Sequence, residues 1–307
     1  MEGNNENQKK SKNLHKPTLV LIFFRLIFKY LGAMFPTLIG RWAYKLWFQT
    51  HRSSTIPKRE QAWLKTASRI EAVTLEINAY GVGTLPVMTY YWENNTGTSK
   101  DAPLVMLVHG WTGRGSQMGA FVAPLLKEGF RVLAFDNHAH DKTPGKATHL
   151  FLQSAVQCAL AEKVGPIQAI ITHSFGGMVT PYSLSHGMET KKMVSISPPT
   201  HFDFLLERFA NALHLPEKIQ QCMLARFTKE YGENLVERVS SSHTSQDLGH
   251  IPLLIIHDED DIDVPIAEGE LLHQSWPNSQ IIHTKGLGHR RILYNSQVIE
   301  NTVDFIK

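Results

Sequence analysis

One serine in the sequence AIITHSFGGMV, residues 169–179, stands between a run of β-forming residues and a pair of glycines. A strand before Ser174 and a helix after it would create a sharp turn that exposes the hydroxyl. Gly176 allows the strand and helix to approach closely, whereas Thr172 occupies a position at which glycine is usual. A serine before two glycines also occurs as an ordinary helix cap. We predict that Ser174 is a nucleophile and that Thr172 is a tolerated variation.

A serine hydroxyl needs a neighbouring base, and the base needs a group that orients it. The segment GLGHRRIL supplies His289 after the last predicted strand. The preceding strand ends in LLIIHDEDDIDVP, which offers four carboxylates: Asp258, Asp260, Asp261 and Asp263. A helix is expected to begin at Pro265, and the spacing to that proline favours Asp261 as the orienting acid.

An attacked carbonyl develops negative charge on its oxygen, which needs backbone N–H donors aimed at it. The residue after the nucleophile, Phe175, is expected to supply one donor. The second is expected from HGWTGRGSQ, where Gly110 lets the backbone turn so that the Trp111 N–H faces the same point. The Trp111 indole is also expected to line the substrate pocket. The alternative for this segment is a plain glycine turn.

A second polar segment, DNHAHDKTPG, contains four residues whose side chains can bind metals: Asp136, His138, His140 and Asp141. These residues follow a strand in a loop, and no further ligands stand at the spacings of familiar metal sites. We predict no metal and no cofactor.

The elements that must position these residues follow from the pattern of apolar runs. Two strand-like segments joined by GVG predict an antiparallel pair, and six nearly continuous apolar strands alternate with helical patterns after it. The prediction is therefore an α/β fold with an eight-stranded, mostly parallel, doubly wound sheet.

The same pattern of apolar runs predicts an N-terminal segment, a core and a lid. Residues 1–69 are predicted as an N-terminal helical segment, and residues 70–200 and 251–307 as the core. Residues 201–250 contain helical patterns without a strand and are predicted as a small helical lid, inserted where such sheets bind ligands.

The segment 18–48 is apolar but is interrupted by Arg25, Lys29 and Pro36. Three interpretations stay open, namely helices that pack on the soluble domain, helices that lie at a membrane interface, and a membrane span.

The net charge of +3 does not point to a nucleic-acid partner, and the concentration of lysine and arginine near the N-terminus suits an anionic membrane surface better than DNA. The two cysteines, Cys158 and Cys222, have no metal or CxxC spacing. A cytoplasmic location is expected, with peripheral membrane contact through residues 18–48 as an open alternative.

Five segments in this order resemble the motifs of the α/β-hydrolase fold superfamily: LVHGWTGRGSQ, DNHAHDKTPG, THSFGG, HDEDDIDVP and GLGHRR. The resemblance extends from about residue 70 to the end, and the order Ser174, Asp261, His289 is that of the superfamily's nucleophile, acid and base. The whole pattern resembles a group of bacterial serine hydrolase-like proteins without an assigned substrate. The chain departs from the superfamily pattern at Thr172, Asp141 and Asp258, each of which stands in place of a glycine. These departures are expected to affect pocket shape more than catalysis.

The combined expectation is a serine hydrolase that cleaves a carboxylic ester, or a related small acyl compound, through an acyl-enzyme intermediate. Three alternatives stay open on the same fold: a non-catalytic binding protein, a membrane-associated lipid hydrolase and an acyltransferase.

Overall fold

A computed structural model describes residues 19–53, 55–93 and 102–307. The strands are β1 (Arg69–Ile77), β2 (Gly83–Trp92), β3 (Leu104–Val108), β4 (Arg131–Phe135), β5 (Ile167–His173), β6 (Lys192–Ile196), β7 (Leu253–Asp258) and β8 (Ser279–Thr284). The helices are α1 (Leu19–Met34), α2 (Pro36–Trp47), α3 (Lys58–Lys65), α4 (Val122–Lys127), α5 (Leu150–Val164), α6 (Gly176–Leu184), α7 (Phe202–Leu213), α8 (Glu217–Tyr231), α9 (Leu235–Val239), α10 (Ser241–Thr244), α11 (Ile266–Ser275), α12 (Gly288–Arg291) and α13 (Ser296–Ile306). Short 3₁₀ turns span Gly115–Phe121, Gln246–Leu248 and Ile292–Tyr294.

The strands form one eight-stranded sheet in the order β1-β2-β4-β3-β5-β6-β7-β8. β1 pairs antiparallel with β2, and β2 pairs antiparallel with β4. Every neighbouring pair from β4 to β8 is parallel, so the carboxyl ends of β5, β7 and β8 lie at the same edge. The predicted fold class is therefore confirmed.

Hydrophobic residues cover both faces of this sheet. In β3, Met106 and Val108 contribute to one buried cluster together with residues of α5 and α11, such as Val156 and Leu272. Val105 and Leu107 contribute to the opposite cluster, which includes residues of α4 and α13. Because successive side chains of a strand point to opposite faces, burial on both sides requires the continuous apolar runs seen in the sequence.

The chain separates into two compact units. Of the described residues, one unit contains residues 19–47 together with Leu206–Glu230, and the other contains those of Phe48–Leu205 and Tyr231–Lys307. These boundaries differ from the predicted ones at 69/70, 200/201 and 250/251. Residues 48–69 belong with the sheet, and only the middle of the predicted lid groups with the N-terminal helices.

Contacts of α3 explain why residues 48–69 belong with the sheet. The buried carboxylate of Glu60 accepts a hydrogen bond from Ser116 Oγ at 2.8 Å and lies 3.6 Å from Arg114 Nε. The indole of Trp63 packs directly over Gly119, in the 3₁₀ turn that follows β3. These contacts join residues that are more than 50 positions apart along the chain, so a local sequence pattern does not predict them.

The smaller unit is helical. Gly32 of α1 and Gly40 of α2 let these helices approach α8, because a Cβ atom would lie 2.6 Å from Ile219 Cδ1 at the first position and 2.7 Å from Cys222 Cβ at the second. Tyr44 donates a hydrogen bond to Glu230 at 2.7 Å. Among the described residues, no helix combines the length and hydropathy that crossing a membrane requires.

The contact between α3 and the sheet unit generates a stability prediction. A methyl group at Gly119 would collide with the Trp63 ring, so Gly119→Ala is expected to lower the free energy of unfolding by about 1 to 3 kcal/mol. The measurement is urea denaturation followed by circular dichroism.

A double-mutant cycle provides the control, since removing the ring with Trp63→Ala leaves room for the added methyl group. Gly119→Ala should cost little in that background. An equal cost in both backgrounds would show that Trp63 is not the cause.

Candidate active site

Ser174 occupies the turn between β5 and α6, and its backbone has a φ of 52°. Residues other than glycine rarely adopt this left-handed conformation. The Ser174 N–H donates to the Ile196 carbonyl at 2.9 Å, which ties the turn to the end of β6. A Cβ atom at Gly176 would lie 2.9 Å from the Val108 carbonyl oxygen, so only glycine allows α6 to start this close to β3. This is the strand–turn–helix context that the sequence predicts.

Thr172 fits because its side chain has a partner. Its Oγ1 lies 3.0 Å from Ser195 Oγ and 3.3 Å from the Val194 carbonyl oxygen, both in β6. Thr172 and Ser195 are adjacent in the parallel β5–β6 pairing and are fully buried. The threonine hydroxyl is therefore satisfied beneath the turn.

A continuous chain of hydrogen bonds joins the three predicted residues. His289 Nε2 lies 2.9 Å from Ser174 Oγ, and His289 Nδ1 lies 2.8 Å from Asp261 Oδ2. The carboxylate can only accept from Nδ1–H, which leaves Nε2 free to accept from the serine hydroxyl. Thus the structure brings together Ser174, His289 and Asp261.

Asp261 is held by donors on both oxygens. Its Oδ1 accepts from the N–H groups of Asp263 at 2.8 Å and Val264 at 2.9 Å, while Oδ2 accepts from His289. Burial acts to raise the pKa of Asp261, but the hydrogen bonds and the charge of His289 outweigh it and hold this pKa below its usual value. The side chain is therefore a buried, ionised acceptor at neutral pH.

The other carboxylates of the segment have different partners. Asp258 is fully buried and accepts from the N–H groups of Leu287 at 3.0 Å and Gly288 at 2.8 Å, and from Thr284 Oγ1 at 2.8 Å. Asp260 is exposed and accepts from the Gly286 N–H at 3.0 Å. Both residues therefore hold the loop that carries His289. The sequence analysis did not predict that these two residues hold the loop. The one sequence feature that pointed to this role was the aspartate at position 258, where the superfamily usually has a glycine.

A second missed residue is His173, immediately before Ser174. Its Nε2 lies 2.8 Å from the His289 carbonyl oxygen, so a neutral His173 ring donates to the backbone of the predicted base. Burial, together with the nearby His289, lowers the pKa of His173 to about 3. The bond connects the turn after β5 directly to the loop after β8.

The loop after β3 passes next to the serine. A Cβ atom at Gly110 would lie 2.8 Å from Ser174 Cβ and 3.3 Å from its Oγ. The Trp111 ring contacts the Phe175 ring edge-on, with 5.2 Å between centroids. Over the described part of the chain, the N–H groups of Trp111 and Phe175 donate to no protein acceptor. The two predicted donors are thus available to a ligand.

The segment DNHAHDKTPG fixes this loop. Asp136 Oδ1 accepts from the Gly115 N–H at 2.8 Å, and His140 Nε2 accepts from the Thr112 N–H at 3.1 Å. In return, His109 Nε2 accepts from the Asn137 N–H at 3.0 Å. These side chains therefore act as hydrogen-bond partners of the backbone. Within residues 19–53, 55–93 and 102–307, no group of three or more potential metal ligands is present.

Burial sets the charge of these partners. It lowers the pKa of His109 to about 3 and that of His140 to about 4, so both rings are neutral and can accept at Nε2. It raises the pKa of Asp136 to about 6, although hydrogen bonds from Gly115 and Tyr90 oppose the rise. The loop is therefore held by two histidines that stay neutral in mild acid and by a carboxyl group, that of Asp136, with a pKa of about 6.

The chain matches a known protein family over more than half of its length. A family model described as the alpha/beta hydrolase family matches residues 105–301. The chain belongs to the alpha/beta hydrolase family. This confirms the resemblance drawn from the five sequence motifs.

Several solved structures share the fold of this hydrolase-family chain. An esterase from Pyrococcus furiosus has a TM-score of 0.61 at 20% sequence identity, with 84% of this chain and 96% of that chain covered. Est1E from Butyrivibrio proteoclasticus, solved with ferulic acid bound, has a TM-score of 0.56 at 16% identity, with 77% and 96% covered. A putative lipase from Acinetobacter baumannii has a TM-score of 0.56 at 18% identity, with 83% and 97% covered. No curated protein matches the chain in sequence.

The buried histidines of this hydrolase-family chain generate a pH prediction. His109, His140 and His173 have folded-state pKa values of about 3, 4 and 3, below the value of about 6.5 expected in the unfolded chain. Below pH 6.5 the unfolded chain binds protons that the folded chain does not, so stability falls as the pH falls toward 4. Asp136 acts in the opposite direction, but one group does not offset three.

Urea denaturation at a series of pH values checks this expectation. The free energy of unfolding should be lower at about pH 5 than at about pH 7.5, with a slope of up to about 1.4 kcal/mol per pH unit for each histidine. His140→Gln removes one of these groups and should reduce the slope. A stability that stays constant or rises toward pH 5 would contradict the prediction.

Proposed function

We propose that this member of the alpha/beta hydrolase family is a serine hydrolase that cleaves carboxylic esters through an acyl-enzyme intermediate. The observation that carries the proposal is the hydrogen-bonded chain from Asp261 through His289 to Ser174, with distances of 2.8 Å and 2.9 Å. Two unused backbone donors beside the serine add the second requirement of acyl transfer. The similarity in fold to solved esterases supports the same class of reaction.

The first half of the reaction forms the acyl-enzyme. Ser174 Oγ attacks the ester carbonyl carbon while His289 Nε2 takes the hydroxyl proton. The carbonyl oxygen becomes an oxyanion and accepts hydrogen bonds from the N–H groups of Phe175 and Trp111. His289 then gives its proton to the departing alcohol as the C–O bond of the ester breaks.

The second half regenerates the enzyme. A water molecule gives a proton to His289 Nε2 and attacks the acyl carbon, and the collapse of the second oxyanion releases the acid and returns the proton to Ser174. Asp261, held ionised by its hydrogen bonds, stabilises the imidazolium that exists in each half. The reaction needs no cofactor.

The substrate class is supported by the surroundings of the serine. The Trp111 and Phe175 rings contact each other next to Ser174 and form an aromatic wall suited to an apolar acyl group or alcohol. We therefore propose an ester with a hydrophobic acyl or alcohol part.

Hydrolysis of p-nitrophenyl esters, from the acetate to the decanoate, tests the proposal. Ser174→Ala is expected to reduce kcat by about 10⁴-fold or more, because no other group replaces the nucleophile. The exposed serine Ser185, at the end of α6, provides the matched control, since Ser185→Ala should retain wild-type turnover.

Labelling with a fluorophosphonate gives an independent readout of the same residue. The wild type and Ser185→Ala should be labelled, whereas Ser174→Ala should not. A wild-type protein that neither turns over any of these esters nor becomes labelled would contradict the proposed function.

The loop that carries His289 generates a second kinetic prediction. Asp258→Asn would turn an amide N–H₂ toward the N–H groups of Leu287 or Gly288, so the loop and the imidazole should shift. We expect kcat to fall by about 10²-fold with little change in KM, because a displacement of about 1 Å is enough to cost this much.

Asp260→Asn is the matched control, because Asp260 is exposed and its carboxylate accepts from a single loop amide, that of Gly286. Its effect on kcat should be much smaller. Equal losses in the two variants would show that burial and the number of hydrogen bonds at Asp258 do not matter.

A further inference from the structure

The surface of α1 carries an uncovered apolar face, which we define by Leu19, Ile22, Phe23, Leu26, Tyr30 and Met34. These residues recur at helical spacing and lie within about 120° of one another around the helix. Leu19 is 85% exposed, Phe23 60% and Met34 68%. Of the fifteen exposed large hydrophobic residues in the described part of the chain, ten lie between residues 19 and 38. Such a concentration marks an interaction surface.

Packing on the opposite side of α1 fixes this orientation. Phe28 is fully buried and stacks on Trp42 of α2, with 5.2 Å between ring centroids. Gly32 lies against Ile219 of α8. Arg25 Nε donates to the Ala212 carbonyl at 2.9 Å, which ties α1 to the end of α7. The apolar face points outward because α1 already uses its other side within the helical unit.

The charged residues of α1 and α2 are all basic. The sequence contains no aspartate or glutamate from residue 7 to residue 59, while lysine and arginine occur throughout that range. Lys29 borders the apolar face on α1, and Arg41 and Lys45 are exposed on α2. An apolar face bordered by a lysine, on a pair of helices whose charged residues are all basic, is complementary to the headgroup region of an anionic bilayer.

We propose that the apolar face of α1 docks into the interfacial region of an anionic lipid bilayer, with the helix lying in the membrane plane. Arg25 and Lys29 interrupt the apolar sequence of α1, and a cation is costly in the hydrocarbon core of a bilayer. The hydrogen bond of Arg25 to Ala212 also keeps α1 attached to its unit. Both features fit a helix that lies on the membrane.

Charge also argues against a second copy of the chain as the occupant. A two-fold interface places the same patch of each subunit against its counterpart. The cations of α1 and α2 would then lie close to those of the other copy, and neither helix contains a carboxylate to pair with them. A lipid surface supplies the missing negative charge.

This docking is independent of ester hydrolysis, and its readout does not involve turnover. Its consequence for the molecule concerns α8, which contacts α1 and belongs to the insertion between β6 and β7. Docking would therefore bring α8 close to the lipid surface.

Sedimentation of the 307-residue chain with vesicles tests the proposal. The wild type should sediment with vesicles of phosphatidylcholine mixed with phosphatidylglycerol, and much less with phosphatidylcholine alone or in high salt. The variant Phe23→Glu, Leu26→Glu, Met34→Glu should lower the partition coefficient by at least about tenfold, because three charges replace apolar contacts with the bilayer. The single variant Phe23→Glu should show a smaller loss in the same direction, should the triple variant fold poorly.

The matched control substitutes exposed hydrophobic residues of the sheet unit, Ile70→Glu and Leu271→Glu, and should bind as the wild type does. Lys29→Glu, Arg41→Glu, Lys45→Glu should abolish the preference for phosphatidylglycerol. Light scattering of the lipid-free wild type and variants measures their oligomeric state.

Three outcomes would overturn the proposal. The first is a wild-type protein that does not sediment with anionic vesicles. The second is equal binding by the wild type and the folded variants of α1. The third is a lipid-free dimer that the α1 substitutions dissociate, which would make a second copy of the chain the occupant.

Discussion

Ser174 adopts a left-handed backbone conformation that costs a non-glycine residue about 1 to 3 kcal/mol, so its surroundings must hold it there. The parallel pairing of β3, β5 and β6 does this, because it brings Gly110, the Ile196 carbonyl and Gly176 against the turn from three sides. Each of these contacts depends on the register of the sheet. The exposed hydroxyl is therefore a product of the whole β-sheet core, and the rest of the candidate site is arranged around it.

Buried polar groups connect the loops that surround this turn. His173 links the turn to the His289 backbone, Asp258 holds the loop before His289, and Asp136 and His140 hold the loop that contains Trp111. Buried donors and acceptors without partners are costly, so these bonds specify the loop conformations as well as stabilise them. The burial that shifts their pKa values also keeps the three histidines His109, His140 and His173 neutral, which their roles as acceptors and single donors require.

The sequence allowed prediction of the fold class and of the three residues that the structure joins by hydrogen bonds. Apolar periodicity and strand–loop order carry this information, because the carboxyl ends of parallel strands must meet at one edge. The bond between Thr172 and Ser195, the role of Asp258 and the bond from His173 to His289 were not predictable. Each depends on the side chain or backbone opposite it in the folded sheet, and that partner lies 23 to 116 residues away along the chain. The unit boundaries differed for the same reason, since α3 is assigned by its contacts with Ser116 and Gly119.

The position of His289 on the chain has a consequence for biosynthesis. It lies after β8, the eighth strand of the sheet in chain order. A nascent chain with β3 to β6 already folded would display Ser174 at its turn but would have no imidazole beside it. Domains acquire structure from the N-terminal side during synthesis. The serine therefore stays without its base until β8 and the loop after it have been synthesised, because His289 lies 115 residues after Ser174 along the chain.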